Sequence, residues 1–315
     1  MNAKIRQFSF TDADYEAAVA LRNQIYPDIP STVEVWKHND QTRRTDPSYK
    51  FFVAESTIGQ IQAFVQCSKT NPSSQTLSIG LIGRPDAWSN GIASDLLAEV
   101  KKTVAEQSIT ALVQKVQESD NAKQAFFKDQ GFEIVMRYPL SALDVAAFEA
   151  SLFMEKVAQT KTKGIKVSQM PLNWEHDTSQ QKFIHDLDWQ LMLDVPHFEP
   201  RQKKSLEKFL ADEIFHPNAI PNSYFIAWDD VLPVGLTCFV KRGNQTVSTA
   251  ITGVLRTHRR RGIATALKVA SIQFAQSAGY QTILTSNEEN NPMYELNRQL
   301  GFKKRPAWLD LKLQL

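Results

Sequence analysis

Cysteine is scarce in this chain, with two residues, Cys67 and Cys238, among 315. Each lies in an apolar stretch far from the other, so two buried, reduced thiols are expected rather than a disulfide framework. Neither has histidines at ligand spacing nearby, and His185, His197, His216 and His258 show no such spacing among themselves, so no metal is expected. No run of 18 apolar residues occurs, which leaves no candidate membrane helix, and the opening MNAKIRQFSF lacks the apolar core of a signal peptide. A cytoplasmic location follows as the expectation. A charge excess of one sign is also missing, because 36 basic residues face 34 acidic ones. Nucleic-acid binders usually carry a domain-wide basic excess, so that class is disfavoured.

The length of 315 residues is long for one core and comfortable for two, and an apolar fraction of 42% is ordinary for a soluble globular chain. A repeat supports two cores. FFVAE at 51–55 resembles YFIAW at 224–228, NGIASDLL at 90–97 resembles RGIATALK at 261–268, and KDQGFE at 128–133 resembles RQLGFK at 298–303. The openings KIRQF (4–8) and GIKVSQM (164–170) match in type. Matches in one order at a nearly constant separation of about 170 positions mean two copies of one unit. The expected division is 1–145, a linker at 146–163 ending in the polar QTKTKG, and 164–315.

Each copy reads as strands, a glycine turn, a helix, a strand, a helix and a closing strand. Thr11 with Asp14, and Ser31 with Glu34, form capping patterns before two helices of the first copy. The segment 92–107 has helical periodicity, and in the second copy a strand at 245–255, a helix at 263–278, a strand at 281–285 and a helix at 291–300 are predicted. This order implies an α/β sheet with helices on both faces.

The segment VLRTHRRRGIATALKVASIQFA at 254–275 holds the densest chemistry. Three arginines precede Gly262 at the mouth of a helix, where backbone N–H groups lack partners and the dipole is positive. Gly262 and Ala264 leave that backbone uncovered, which suits a pyrophosphate. The spacing fits neither G-x-x-x-x-G-K-[ST] nor G-x-G-x-x-G.

The run Arg259, Arg260, Arg261, Gly262, Ile263, Ala264 resembles the pattern [Q/R]-x-x-G-x-[G/A] of the GNAT superfamily of N-acetyltransferases. TSNEENNPMYELNRQLGF at 285–302 resembles the family's next motif, and the whole chain resembles a tandem-GNAT protein. The resemblance implies two units, each a mixed, mostly antiparallel sheet. It implies that the backbone from Arg260 to Ala264 holds the pyrophosphate of acetyl-coenzyme A, with Arg259 at the first place of the motif. It further implies that Thr252, Gly253 and Val254 pair with the pantetheine amides, and that Asn287, Asn290 and Asn291 contact the same molecule.

The first copy departs from the motif. Trp88 stands where the second has Arg259, and Ser89 and Asn90 replace two more arginines, so the first copy is expected to be degenerate. Many family members use a tyrosine as general acid where this chain has Asn297 and Phe127. Tyr294, three residues before Asn297, is the substitute candidate. No carboxylate occurs on the strand 245–255, so a base is sought among Asp188, Asp194, Glu199, Glu288 and Glu289. The expected activity is acetyl transfer from acetyl-coenzyme A to a primary amine, with 185–220 and 26–50 shaping the acceptor pockets. The alternatives are an acyl-CoA-binding protein without turnover, and an interaction scaffold.

Overall fold

Alternation along single strands decides the layering. Phe51 and Val53 join one buried cluster with Tyr15, Val19 and Trp36, while their neighbours Phe52 and Ala54 join another with Leu96, Leu97 and Phe127. Successive strand residues point to opposite faces, so both faces must be covered. The computed structural model describes residues 3–69, 71, 73–104, 108–288 and 290–315. These form two compact units, residues 1–138 with 306–315, and residues 139–305.

In chain order the elements are β1 (Lys4–Gln7), α1 (Asp12–Ile25), α2 (Val33–Arg43), β2 (Lys50–Glu55), β3 (Ile61–Lys69), β4 (Thr76–Gly83), α3 (Ile92–Val104), β5 (Ala111–Gln117), α4 (Asn121–Asp129) and β6 (Glu133–Asp144). There follow α5 (Met154–Thr162), β7 (Ile165–Gln169), α6 (Thr178–Met192), α7 (Leu206–Phe209), β8 (Phe225–Asp229), β9 (Leu232–Lys241), β10 (Thr246–Val254), α8 (Ile263–Ser277), β11 (Thr282–Ser286), α9 (Pro292–Gln299) and β12 (Lys303–Gln314).

The first unit pairs β1 to β4 antiparallel in sequence, then β4 with β5 parallel, then β5 with Trp308–Gln314 of β12 antiparallel. In the second unit β7 to β10 pair antiparallel, β10 pairs β11 parallel, and β11 pairs Leu140–Asp144 of β6 antiparallel. The pattern is the same in both, but the closing strand of each is drawn from the far end of the other copy. The division at 1–145 and 164–315 instead leaves each closing strand with its own copy.

Other local expectations shift in detail. Thr11 caps α1 as read, accepting from Asp14 N, whereas α2 is capped by Thr32, accepting from Val35 N, and not by Ser31. Ser31 N instead donates to Asn23 Oδ1 at 2.8 Å. The expected linker contains α5, whose Thr160 is buried. Residues 105–107, the end of the predicted helix 92–107, lie outside the described residues. Cys67 and Cys238 are buried free thiols, and burial raises both well above the usual thiol range. Among the described residues no helix is long and apolar enough to cross a membrane.

Candidate functional site

In the second unit β10 and β11 leave each other. Their parallel pairs run from Thr246↔Thr282 to Ser248↔Leu284, yet β10 continues to Val254 and β11 to Ser286. A bulge on β10 between Thr249 and Ile251 accompanies the parting. Backbone groups of the later β10 residues, Thr252, Gly253 and Val254 among them, are thus left facing a fork on the β11 side. On the opposite edge these three pair with Thr237, Leu236 and Gly235 of β9. Gly253 is needed for packing, since a Cβ there would stand 2.9 Å from Leu191 Cβ on α6.

The fork ends at the arginine turn. Gly262 caps α8 with φ +88° and supplies no side-chain acceptor, so the first N–H groups of α8 keep their dipole and their unmet donors. A side chain at 262 would be strained by that φ and would also collide with Thr160 Oγ1 of α5. Thr160 Oγ1 donates to Lys156 O at 2.9 Å and lies 3.3 Å from Arg261 O. The sequence signal for this contact was absent, because Thr160 sits in what reads as a linker.

Two of the three arginines are already paired. Arg259 Nη2 meets Asp194 Oδ2 and its Nε donates to Val254 O at 3.1 Å, while Arg256 Nε donates to Asp194 Oδ1 at 2.6 Å. The Arg256 hydrogen bond, with Arg259 beside it, holds the Asp194 carboxyl below the usual carboxylate range. Arg261 donates to Asp229 Oδ2 and to Lys163 O, each at 2.8 Å, and the Arg261 bond holds Asp229 low as well. Arg260, exposed at φ +62°, has no partner among the described residues. Ile263 is buried in the core and Ala264 partly so.

The asparagines past β11 are tied into local structure. Asn297 Nδ2 donates to Asn287 Oδ1 at 2.8 Å, Asn290 donates to Glu288 from both its backbone and its amide, and Asn291 caps α9 by accepting from Met293 N. Asn297 is fully buried and its Oδ1 has no partner among the described residues. Tyr294 is half-buried on the same helix.

A family model described as the acetyltransferase (GNAT) family matches residues 15–132 and again 184–302. The chain belongs to the GNAT family. Solved structures of the same fold align over almost all of it at low identity. They include a GCN5-related N-acetyltransferase from Sphaerobacter thermophilus (TM-score 0.72, 15% identity, covering 99% of this chain and 96% of that one). A tandem GNAT protein from the clavulanic acid biosynthesis pathway, studied without AcCoA, aligns at TM-score 0.73 and 15% identity over 99% and 98% of the two chains. A glucosamine N-acetyltransferase region of a fungal multi-domain GH3 beta-N-acetylglucosaminidase aligns at TM-score 0.71 and 14% identity, covering 99% of this chain and 38% of that one. Among curated proteins none matches in sequence.

The two GNAT copies differ at the fork. In the first, parallel pairing extends to Ile79↔Gln114, and Gln114 Oε1 then accepts from Leu81 N at 2.8 Å while its Nε2 donates to Lys115 O at 2.6 Å. The side chain closes the gap that β4 and β5 would otherwise leave. Counting from the first pair of each unit, the counterpart of Gln114 is Thr285, which is too short to span it. At the first helix mouth Asn90 Oδ1 accepts from Ile92 N at 3.2 Å, which occupies an amide otherwise free for an anion. Trp88, at the place of Arg259, packs on Phe126 and Phe127 with centroids 5.6 and 6.4 Å apart.

Carboxylates near the second fork divide by environment. Asp188 lies inside α6; burial first, then Glu213, raises its carboxyl to about 7. Asp194 is engaged by arginines, Glu288 by Asn290, and Glu289 lies outside the described residues. A surface pocket of about 340 Å³ opens beside Arg256, lined also by Leu193, Asp194, Val195, Pro196 and Arg201. Apart from Arg256, its lining falls within the 185–220 stretch singled out from the sequence.

Proposed function

We propose that this protein transfers an acetyl group from acetyl-coenzyme A to a primary amine, and that the second unit carries the reaction. One comparison carries the reading. The second unit has an open fork leading to an uncapped helix N-terminus, whereas the first fills its fork with Gln114 and caps its helix mouth with Asn90. The residues of the second unit fit a pantetheine with a pyrophosphate behind it. Unpaired β10 edge groups suit amides, and the α8 donors suit phosphates.

In this reading Arg260 to Ala264 bind the pyrophosphate through backbone N–H groups, and Arg259 with Arg261 frame the turn through their ion pairs. Thr252, Gly253 and Val254 bind the pantetheine amides. Asn297 orients Asn287 toward the bound molecule, Asn290 and Asn291 shape the loop around it, and Tyr294 borders the acyl end. The acceptor must shed a proton before attack. Asp188, raised by burial, is the carboxylate whose basicity suits that task near neutral pH. The pocket beside Arg256 is where the acceptor enters. Catalysis then rests mainly on holding amine and thioester together.

The test is a thermal unfolding scan with and without acetyl-coenzyme A. A ligand at 100 times its dissociation constant stabilises by about 2.7 kcal/mol, a visible shift. The wild type and a first-copy control, Gly91→Asp, are expected to shift, and Arg259→Glu with Gly262→Asp is expected not to. Loss of the shift in the control alone would reverse the roles of the two units. A second reading, binding without turnover, is favoured by Asn297, which brings no acidic proton to the place where the family often has tyrosine. Release of free thiol in the presence of a panel of primary amines separates the two.

A further inference from the structure

Among the described residues Lys268 is an amine buried without a countercharge. It lies on α8 at 1% exposure, with Nζ 3.1 Å from Thr249 Oγ1 and 5.5 Å from the centroid of Phe302. Desolvation lowers it to about 7, and no charged neighbour contributes. Among the described residues its polar and aromatic partners are the Thr249 hydroxyl and the Phe302 ring. The backbone of Phe302 is tied to α9, its N–H donating to Asn297 O at 3.0 Å. Such burial opposes folding and needs a reason. The first copy avoids it: five residues into each helix, from Ile92 and Ile263, stand Leu97 and Lys268, both 1% exposed.

The place of Lys268 supplies the reason. Thr249 is the first β10 residue past the last parallel pair, at the apex of the fork and at the bulge. Five strand steps separate it from Val254 at the turn, about 17 Å. An extended pantetheine arm covers a span of that order when its phosphates rest at the start of α8, and its sulfur then reaches the level of Thr249.

We propose that Lys268, acting through Thr249 Oγ1, supplies charge and a proton to the sulfur that departs in acyl transfer; this rests on the acyl-CoA reading above. As the acceptor nitrogen bonds to the thioester carbon, the C–S bond breaks and its electron pair moves to sulfur. Thr249 passes its hydroxyl proton to that sulfur and takes one from the Lys268 ammonium. The proton lost by the acceptor nitrogen goes to Asp188 and from there to water, and Lys268 regains one from water when the products leave. Lys268 is thus a positioning and proton-relay residue, and Thr249 is the group that touches the sulfur.

Free coenzyme A is the probe, because no acceptor is then required. Its binding is followed by calorimetry, and the ultraviolet absorbance of its thiolate is followed against pH in the complex. With the wild type the thiol and Lys268 should titrate as a coupled pair, thiolate appearing about 1–3 pH units below the free thiol because each charge stabilises the other. Lys268→Met, which puts an apolar side chain where the first copy has Leu97, should stay folded and bind, with the thiol ionising no lower than in solution. Thr249→Val should lose most of the shift, and Tyr294→Phe should keep it. Equal titrations in wild type and Lys268→Met, or loss in Tyr294→Phe alone, would overturn the assignment. Absence of binding heat in the wild type would overturn the acyl-CoA reading itself, and this proposal with it.

Discussion

The Leu81 amide donates to the side-chain carbonyl of Gln114 at 2.8 Å, across the point where β4 and β5 stop pairing. Gln114 is 3% exposed, so its amide replaces bonds that water cannot supply there. Gln114→Leu leaves the Leu81 N–H buried and unmet, at a cost of about 1–3 kcal/mol. Urea denaturation of the first unit should show that loss. The thermal shift with acetyl-coenzyme A should not change, because the binding site proposed above lies in the second unit.

Gly262 and Gly91 have nearly the same backbone, φ +88° and +90°, in different surroundings. A Cβ at 91 meets nothing within 4 Å, while one at 262 runs into Thr160. Gly91→Ala should cost about 1–2 kcal/mol, the left-handed penalty alone. Gly262→Ala should cost more, and Thr160→Ala in the same chain should recover the difference. A double-mutant cycle by chemical denaturation measures this coupling.

The pH dependence of stability carries the mark of Lys268. Its folded value of about 7 lies below the ordinary lysine value of about 10.4, so between these the unfolded chain holds more protons. Stability therefore rises with pH across that window, and below it the burial penalty is fully present. Lys123 of the first unit, lowered to about 8 by burial, adds a smaller rise. Lys268→Met should flatten its share and raise stability at neutral pH by up to roughly 4 kcal/mol, read as the difference between two pH series of unfolding curves.

Asp194 reports in the acid range. Its folded pKa is depressed, chiefly by the Arg256 hydrogen bond, so its contribution is present above an unfolded value of about 3.9 and fades as pH falls through the folded value. The paired arginines face solvent, which limits the effect to about 0–1 kcal/mol. Asp194→Asn should cost that much at neutral pH and nothing in strong acid. It should also tighten acetyl-coenzyme A binding, with a steeper salt dependence, because Arg256 and Arg259 lose their internal anion. Titration calorimetry at two ionic strengths checks both.

Helix and strand positions were legible because their signals are local. Thr11 with Asp14, the 3.6-residue spacing of Ile263, Ala266, Leu267 and Ala270, and the glycines at 91 and 262 act within a few residues of themselves. Partnering is not local. The arginines read as three cations in a row, but Asp194 and Asp229 reach Arg259 and Arg261 from 65 and 32 residues away. Nothing in the sequence says that the amine of Lys268 points inward to Thr249. Asn287, Asn290 and Asn291 carried the family motif, yet their hydrogen-bond partners depend on how the loop after β11 turns.

By itself the sequence determined that there are two copies of one unit, that each mixes strands and helices in the same order, and that the second alone keeps the arginine-glycine turn. Such properties follow from periodicity and residue type, which act along the chain. Only the tertiary structure decided which strand closes which unit. β6 and β12 carry equivalent patterns, so either would satisfy the open edge of β5 or of β11, and only the folded chain selects between them. The same holds for the two forks. Whether a gap between parting strands stays open depends on one side chain, Gln114 or Thr285, reaching across it, and reach is a distance in space.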